Sequence, residues 1–131
     1  MPSMTSQYPY VRHGIGTIRA YVHGHLELWD LVKNAFGAEE IERHEFSPTS
    51  FHIEARIGDS VIVLETGDPP AETGSPSSIY VYVPDVDAAY RRAIERGAIS
   101  VAEPKEQPYQ ERNAGVKDRY GNTWWISTYR A

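Results

Sequence analysis

The sequence predicts an α+β fold in which two β-α-β-β-β units form a curved eight-stranded sheet with a concave cleft. Three observations point there. Strand-like and helix-like patterns follow the same order in both halves of the chain. Tyr21-Val22 before the first helical stretch is echoed by Tyr82-Val83 before the second, and Gly37-Ala38 after the first by Gly97-Ala98 after the second. The offsets are 61 and 60 residues, so a one-residue slip separates the copies.

Residues 1–13 are polar, contain Pro2 and Pro9, and read as a flexible arm whose end carries Tyr8, Tyr10 and Val11. A single domain then runs over 14–131, its halves at 14–66 and 78–129. Residues 14–22 read as a strand and His23-Gly24-His25 as a turn. From Leu26 to Phe36 the residues Leu28, Trp29, Val32, Ala35 and Phe36 recur at helical spacing, and Gly37 stands where a left-handed C-cap belongs. Residues 40–46 and 51–57 form a hairpin across Ser47-Pro48-Thr49-Ser50, and Ser60–Glu65 is a fourth strand. The stretch 67–77 is rich in proline and glycine and reads as a linker.

The second half restarts with a strand at 79–83. Asp85 suits an N-cap, and Val86, Ala89, Tyr90, Ala93 and Ile94 make an apolar helical stripe ended by Gly97. A strand follows at 98–101, then a connection over 103–111. A last strand-turn-strand pivots on Tyr120-Gly121-Asn122, where Gly and Asn accept positive φ.

Composition narrows the function. The 131 residues carry a net charge of −5 with no basic run, which disfavours nucleic acid. There is no cysteine, so thiolate metal sites and cysteine nucleophiles are excluded. Without a signal-like apolar start or a long apolar run, the expectation is a cytoplasmic protein with no membrane partner.

Several segments resemble a known family. "DRYGNTWWIST" (118–128) is similar to "DPFGHVWWIST", and "YVPDVDAAYRRAIERGA" (82–98) to "YVxDVDAAYRRAxxxGA". "LWDLVKNAFGAEE" (28–40) is similar to "LDFYKRAFGAEE", and "HIEARIGDSVIVLE" (52–65) to "HAELRIGDSVLMLSD". These are signatures of the glyoxalase/bleomycin-resistance/dioxygenase proteins, the vicinal oxygen chelate superfamily, and look most like its PhnB-like subgroup. The resemblance implies the duplicated fold, commonly a homodimer, and in metal-dependent members a His, Glu or Gln, His and Glu set on four strands. Those positions fall here on Gly16, near Val63, on Ser78 and on Trp125. None is a usual divalent-metal ligand, so no metal and no cofactor is expected in the cleft.

With those four positions facing inward, alternation adds Ile18, Val61, Glu65, Tyr80, Tyr82, Thr123 and Ser127. Phe51, Ile53, Ala55 and Ile57 suit the helix-covered face, which turns His52, Glu54 and Arg56 toward the cleft. A hairpin closing at Pro48-Thr49 sets Glu45 opposite His52 and Arg43 opposite Glu54. Tyr109, Gln110 and Arg112 come from a connection that, as the resemblance implies, often edges the cavity in this fold. The paired His23 and His25 lack a third metal partner and read as solvated.

The expected function is metal-free binding of an aromatic or cationic small organic molecule by His52, Glu54, Arg56, Glu65, Tyr80, Tyr82, Tyr109, Arg112 and Trp125. The alternative is a glyoxalase-type lyase, isomerase or dioxygenase, either metal-free, with His52, Glu54 and Glu65 as candidates for acid–base work, or using metal ligands at positions other than those four. A third reading has the cleft vestigial and the domain acting through protein contacts.

Overall fold

The computed structural model describes residues 9–70 and 75–130. Eight strands and two helices follow the duplicated order: β1 (Ala20–Gly24), α1 (Leu28–Phe36), β2 (Glu39–Ser47), β3 (Ser50–Ile57), β4 (Ser60–Gly67), β5 (Ser78–Tyr82), α2 (Val86–Glu95), β6 (Ile99–Gln107), β7 (Glu111–Lys117) and β8 (Thr123–Tyr129). The ladders run within each half, giving two four-stranded mixed sheets ordered β1-β4-β3-β2 and β5-β8-β7-β6. In each, the first strand lies parallel to the fourth and the other pairings are antiparallel. The topology is the same in both halves, as a duplicated unit requires.

Alternation along the strands decides what each sheet buries. Val22, Ile53, Ala55, Ile62 and Leu64 from the first sheet join Val81, Ala114, Val116, Trp124 and Ile126 from the second in one core with the apolar stripes of both helices. Phe36 and Trp124 meet at 5.3 Å between ring centroids, so the halves share this core. Asn122, fully buried, ties them further: its Nδ2 donates to the His23 carbonyl at 2.8 Å and its Oδ1 accepts from the Ser77 backbone N–H at 2.7 Å.

The helix ends follow local chemistry. Gly37 takes φ +70; its N–H donates to Lys33 O at 3.1 Å and the next N–H, of Ala38, donates to Val32 O at 3.4 Å. Asp85 accepts from the Ala88 N–H at 3.1 Å.

Three elements differ from the sequence expectation. The first strand begins at Ala20 rather than Gly14, because Gly14 and Gly16 adopt φ +76 and +78 and the Arg19 side chain gathers the carbonyls of Arg12, Ile15 and Gly16 into a curl. His23 and Gly24 are therefore strand, not turn. The 103–111 connection is mostly strand. β6 runs to Gln107 through Pro104, which an edge strand tolerates, with a register shift between Ala102 and Lys105. The third difference is the β2–β3 register. Ser47 pairs with Ser50 after a bulge, so His44, not Glu45, faces His52, and Glu42, not Arg43, faces Glu54.

Of the arm, residues 9–13 are described. Arg12–Gly14 form a short 3-10 turn that docks on the first sheet through Arg12 and His13. Tyr8 lies outside the described residues.

Candidate ligand site

The face of each sheet opposite the core carries the polar chemistry. On the first sheet it presents Tyr21, His52, Glu54, Val63 and Glu65. Tyr21 Oη donates to Glu65 Oε2 at 2.7 Å, and the same carboxylate contacts His52 Nδ1. His52 Nε2 lies 3.2 Å from Glu54 Oε2. Glu54, 6% exposed, also meets His13 Nε2 at 3.0 Å and Arg19 Nη1 at 3.4 Å. Burial opposes charge on His52, but its bonds to Glu65 and Glu54 prevail and raise its pKa above the ordinary value. Burial pushes Glu54 up, yet His52 and His13 hold it below the usual carboxylate range. Desolvation and the Glu65 contact push the Tyr21 phenol up to about 12.

On the second sheet the same face presents Tyr80, Tyr82, Glu111, Asn113, Trp125 and Ser127. Glu111 is its centre. It accepts hydrogen bonds from Tyr80 Oη, from Tyr82 Oη at 2.7 Å and from Ser127 Oγ at 2.8 Å. These three hydroxyls lower the Glu111 pKa, and the Glu111 bond raises Tyr82 to about 12. The Tyr80 and Tyr82 rings stand edge to face, 5.5 Å apart, and both are substantially exposed. The Trp125 ring lies over Gly115 on β7, where a Cβ would come within 2.6 Å of it. Glycine is what lets the indole lie flat there. Tyr109, on the β6–β7 turn, accepts through Oη from Asn113 Nδ2 at 3.0 Å and so borders the cluster.

Among the described residues, no lysine or arginine pairs with Glu65 or Glu111. An open groove of about 480 Å³ lies between Ile18, Ala20 and Val61 on one side and Ile79, Tyr80 and Tyr82 on the other.

Two expected site residues sit elsewhere. Arg112 is on the helix side of β7, where it binds Asp87 on α2 through Nε and Nη2 at 2.8 and 2.9 Å and Glu106 at 3.3 Å. It fastens the helix and does not face the cleft. Arg56 keeps the predicted parity but pairs with Glu39 at 2.6 Å at the exposed end of the hairpin. The first-strand register also changes: Gly16 and Ile18 precede β1, whose cleft face carries Tyr21 and His23. His23 is half-buried, its ring 5.3 Å from Tyr21, rather than solvated in a turn.

Sequence reasoning missed Glu111 and Tyr21. Tyr21 matches Tyr82 in the duplication, and that match was the available signal. Glu111 lies in a stretch whose prolines and glutamines read as a connection in the sequence. His13, Arg19 and Glu42 joined the site through the curl of the arm and the hairpin bulge, which no periodicity announces.

The residues at the four metal positions do not fit a metal. Gly16 is outside the strand, Val63 is apolar and buried, Ser78 begins β5, and Trp125 is an indole against Gly115. On the second sheet the neighbouring cleft-face positions of β5 and β8 are Tyr80, Tyr82 and Ser127, which supply neither imidazole nor carboxylate.

Two packed β-α-β-β-β units around one core define a fold class, and comparison with known proteins places the chain within it. The family model described as Glyoxalase/Bleomycin resistance protein/Dioxygenase superfamily matches residues 15–126, and the chain belongs to that superfamily. Similar solved structures include TioX from Micromonospora sp. ML1, at 20% identity and TM-score 0.69 over 88% of this chain and 98% of that one. A glyoxalase/bleomycin resistance protein/dioxygenase family enzyme from Burkholderia phytofirmans PsJN is 20% identical with TM-score 0.63, over 86% and 96%. The fosfomycin resistance protein FosX from Listeria monocytogenes is 18% identical with TM-score 0.60, over 89% and 93%. At such identities the likeness is one of fold. No curated protein matches the sequence.

Proposed function

We propose that the protein binds an aromatic or cationic organic molecule against the phenol- and indole-lined face of the second sheet, without a metal at the family's ligand positions. One observation carries this reading: Glu111 is gathered by the hydroxyls of Tyr80, Tyr82 and Ser127 and has no lysine or arginine partner among the described residues. A carboxylate held ionised among exposed aromatic rings attracts a cation, and the rings add stacking and cation–π contact. Trp125 and Tyr109 extend the aromatic surface. Glu65, His52 and Glu54 form a second anionic cluster on the first sheet.

The enzymatic alternative has less support. Both ring nitrogens of His52 are engaged by carboxylates, which suits a fixed structural link better than a general base with a free lone pair. The dimeric state, the PhnB-like subgroup and the cytoplasmic location belong to the same proposal; light scattering on purified protein tests the first. Among the described residues no helix is long and apolar enough to cross a membrane.

The test is a tryptophan-fluorescence titration with a panel of aromatic ammonium compounds and their neutral isosteres. Saturable quenching by the cations, weakened about tenfold or more in Glu111→Gln and Trp125→Ala, is the expected result. Quenching that neither substitution alters would refute the site.

A further inference from the structure

We infer that His13, Glu42 and Glu54 form a binding site for one first-row divalent cation, such as Zn²⁺, that pins the N-terminal segment onto the first sheet. The three side chains come from three separate segments, and one donor atom of each lies within 4.8 Å of the other two. The site is distinct from the four strand positions of the superfamily, and it is independent of the small-molecule reading.

The convergence is unusual in one respect. His13 Nε2 lies 3.1 Å from Glu42 Oε1 and 3.0 Å from Glu54 Oε1. A single imidazole nitrogen carries at most one hydrogen, so it cannot give a full hydrogen bond to both oxygens. A divalent ion can serve all three atoms at once. Ligand atoms about 2.1 Å from a tetrahedral ion are about 3.4 Å apart, close to the 3.1 and 3.0 Å between His13 Nε2 and the two carboxylate oxygens. The remaining oxygens are already braced: His44 Nε2 lies 2.8 Å from Glu42 Oε2, and His52 Nε2 lies 3.2 Å from Glu54 Oε2. Such outer contacts orient carboxylate ligands. Three protein ligands leave a position for water.

Two guanidinium groups occupy the neighbourhood. Arg12 bonds both oxygens of Glu42, and Arg19 Nη1 is 3.4 Å from Glu54 Oε1. The Arg12 side chain is 61% exposed, with solvent around it to receive it, so it acts as a competing cation that a metal displaces. Arg19 is held by three carbonyls and keeps His13 in place whether or not metal is bound.

The experiment is a calorimetric titration of chelator-treated protein with zinc chloride, with metal content per chain measured after gel filtration. One Zn²⁺ per chain is expected. His13→Asn, which suits the positive φ of 66 at this position, and Glu54→Gln each weaken binding at least tenfold. Arg12→Gln tightens it severalfold by removing the competitor. His25→Gln, outside the cluster, leaves it unchanged and controls for adventitious histidine binding. Circular dichroism verifies that each variant is folded; if Glu54→Gln is not, the surface variant His13→Asn decides alone. Absence of one-to-one binding, an affinity untouched by His13→Asn, or an Arg12→Gln affinity no higher than wild type would overturn the inference.

Discussion

Asp118 holds more of the C-terminal turn than any other side chain. Its Oδ1 accepts from the backbone N–H groups of Tyr120, Gly121 and Asn122 at 3.0, 3.1 and 3.0 Å. Its Oδ2 accepts from Asn122 Nδ2 at 2.9 Å and from the buried Trp124 Nε1 at 3.0 Å. Removing it leaves a buried indole N–H without a partner, so Asp118→Ala costs on the order of 2–4 kcal/mol, measurable by urea denaturation. The two tryptophans beside it divide their roles by parity. Trp124 is fully buried against Phe36, and Trp124→Ala destabilises by about 3–5 kcal/mol. Trp125→Ala removes cleft surface and weakens ligand binding with a smaller stability loss; the reverse ranking would show that the strand faces are misassigned. At Glu111 the expected outcome is spectroscopic. Glu111→Gln removes the carboxylate charge whose hydrogen bond lifts Tyr82 to about 12, so tyrosinate absorbance appears at lower pH, nearer the ordinary 10.

At the scale of elements, what was legible in the sequence depended on how local its cause is. Helix ends follow from a glycine or an aspartate a few residues away, and Gly37 and Asp85 cap where their chemistry places them. The cleft face of β3 follows from alternation, so His52, Glu54 and the tyrosines of β5 could be read directly. Hairpin register could not. A bulge between Glu45 and Ser47 shifts the pairings of Glu42 to Glu45 by one and sets Glu42 beside Glu54, and a second irregularity between Glu40 and Glu42 shifts Glu39 and Glu40 by one more. Arg112 misled for a related reason: with Pro104 inside an edge strand, β6 and β7 are longer than the turn signals suggest, and parity sends Arg112 to α2. Arg112→Ala therefore lowers the melting temperature while leaving ligand affinity unchanged. Gly115→Ala does the converse. A methyl group there collides with the Trp125 ring and must displace it, so binding weakens more than stability does.

The whole molecule couples two faces of opposite character, a shared apolar core within and carboxylate clusters outside it, and this sets its pH response. His52 has a folded-state pKa raised above the ordinary 6.5, so its contribution is complete below about pH 6.5 and is lost as pH rises through the higher folded value. Glu54 is lowered below the ordinary 4.5, so its contribution is complete above about pH 4.5 and is lost as pH falls through the lower folded value. Urea denaturation across pH should show the pair contributing fully between those limits, and His52→Gln should remove the decline on the alkaline side.

The central claim, that the second sheet offers an anionic aromatic face to a cationic ligand, is tested most directly by one comparison. Benzyltrimethylammonium and its uncharged carbon isostere would be titrated into wild-type protein and into Glu111→Gln, with tryptophan fluorescence as the readout. The account predicts saturable binding of the cation to wild type, and binding at least tenfold weaker when the charge is removed from either partner. Equal affinity for the two compounds, or an unchanged affinity in Glu111→Gln, would contradict it.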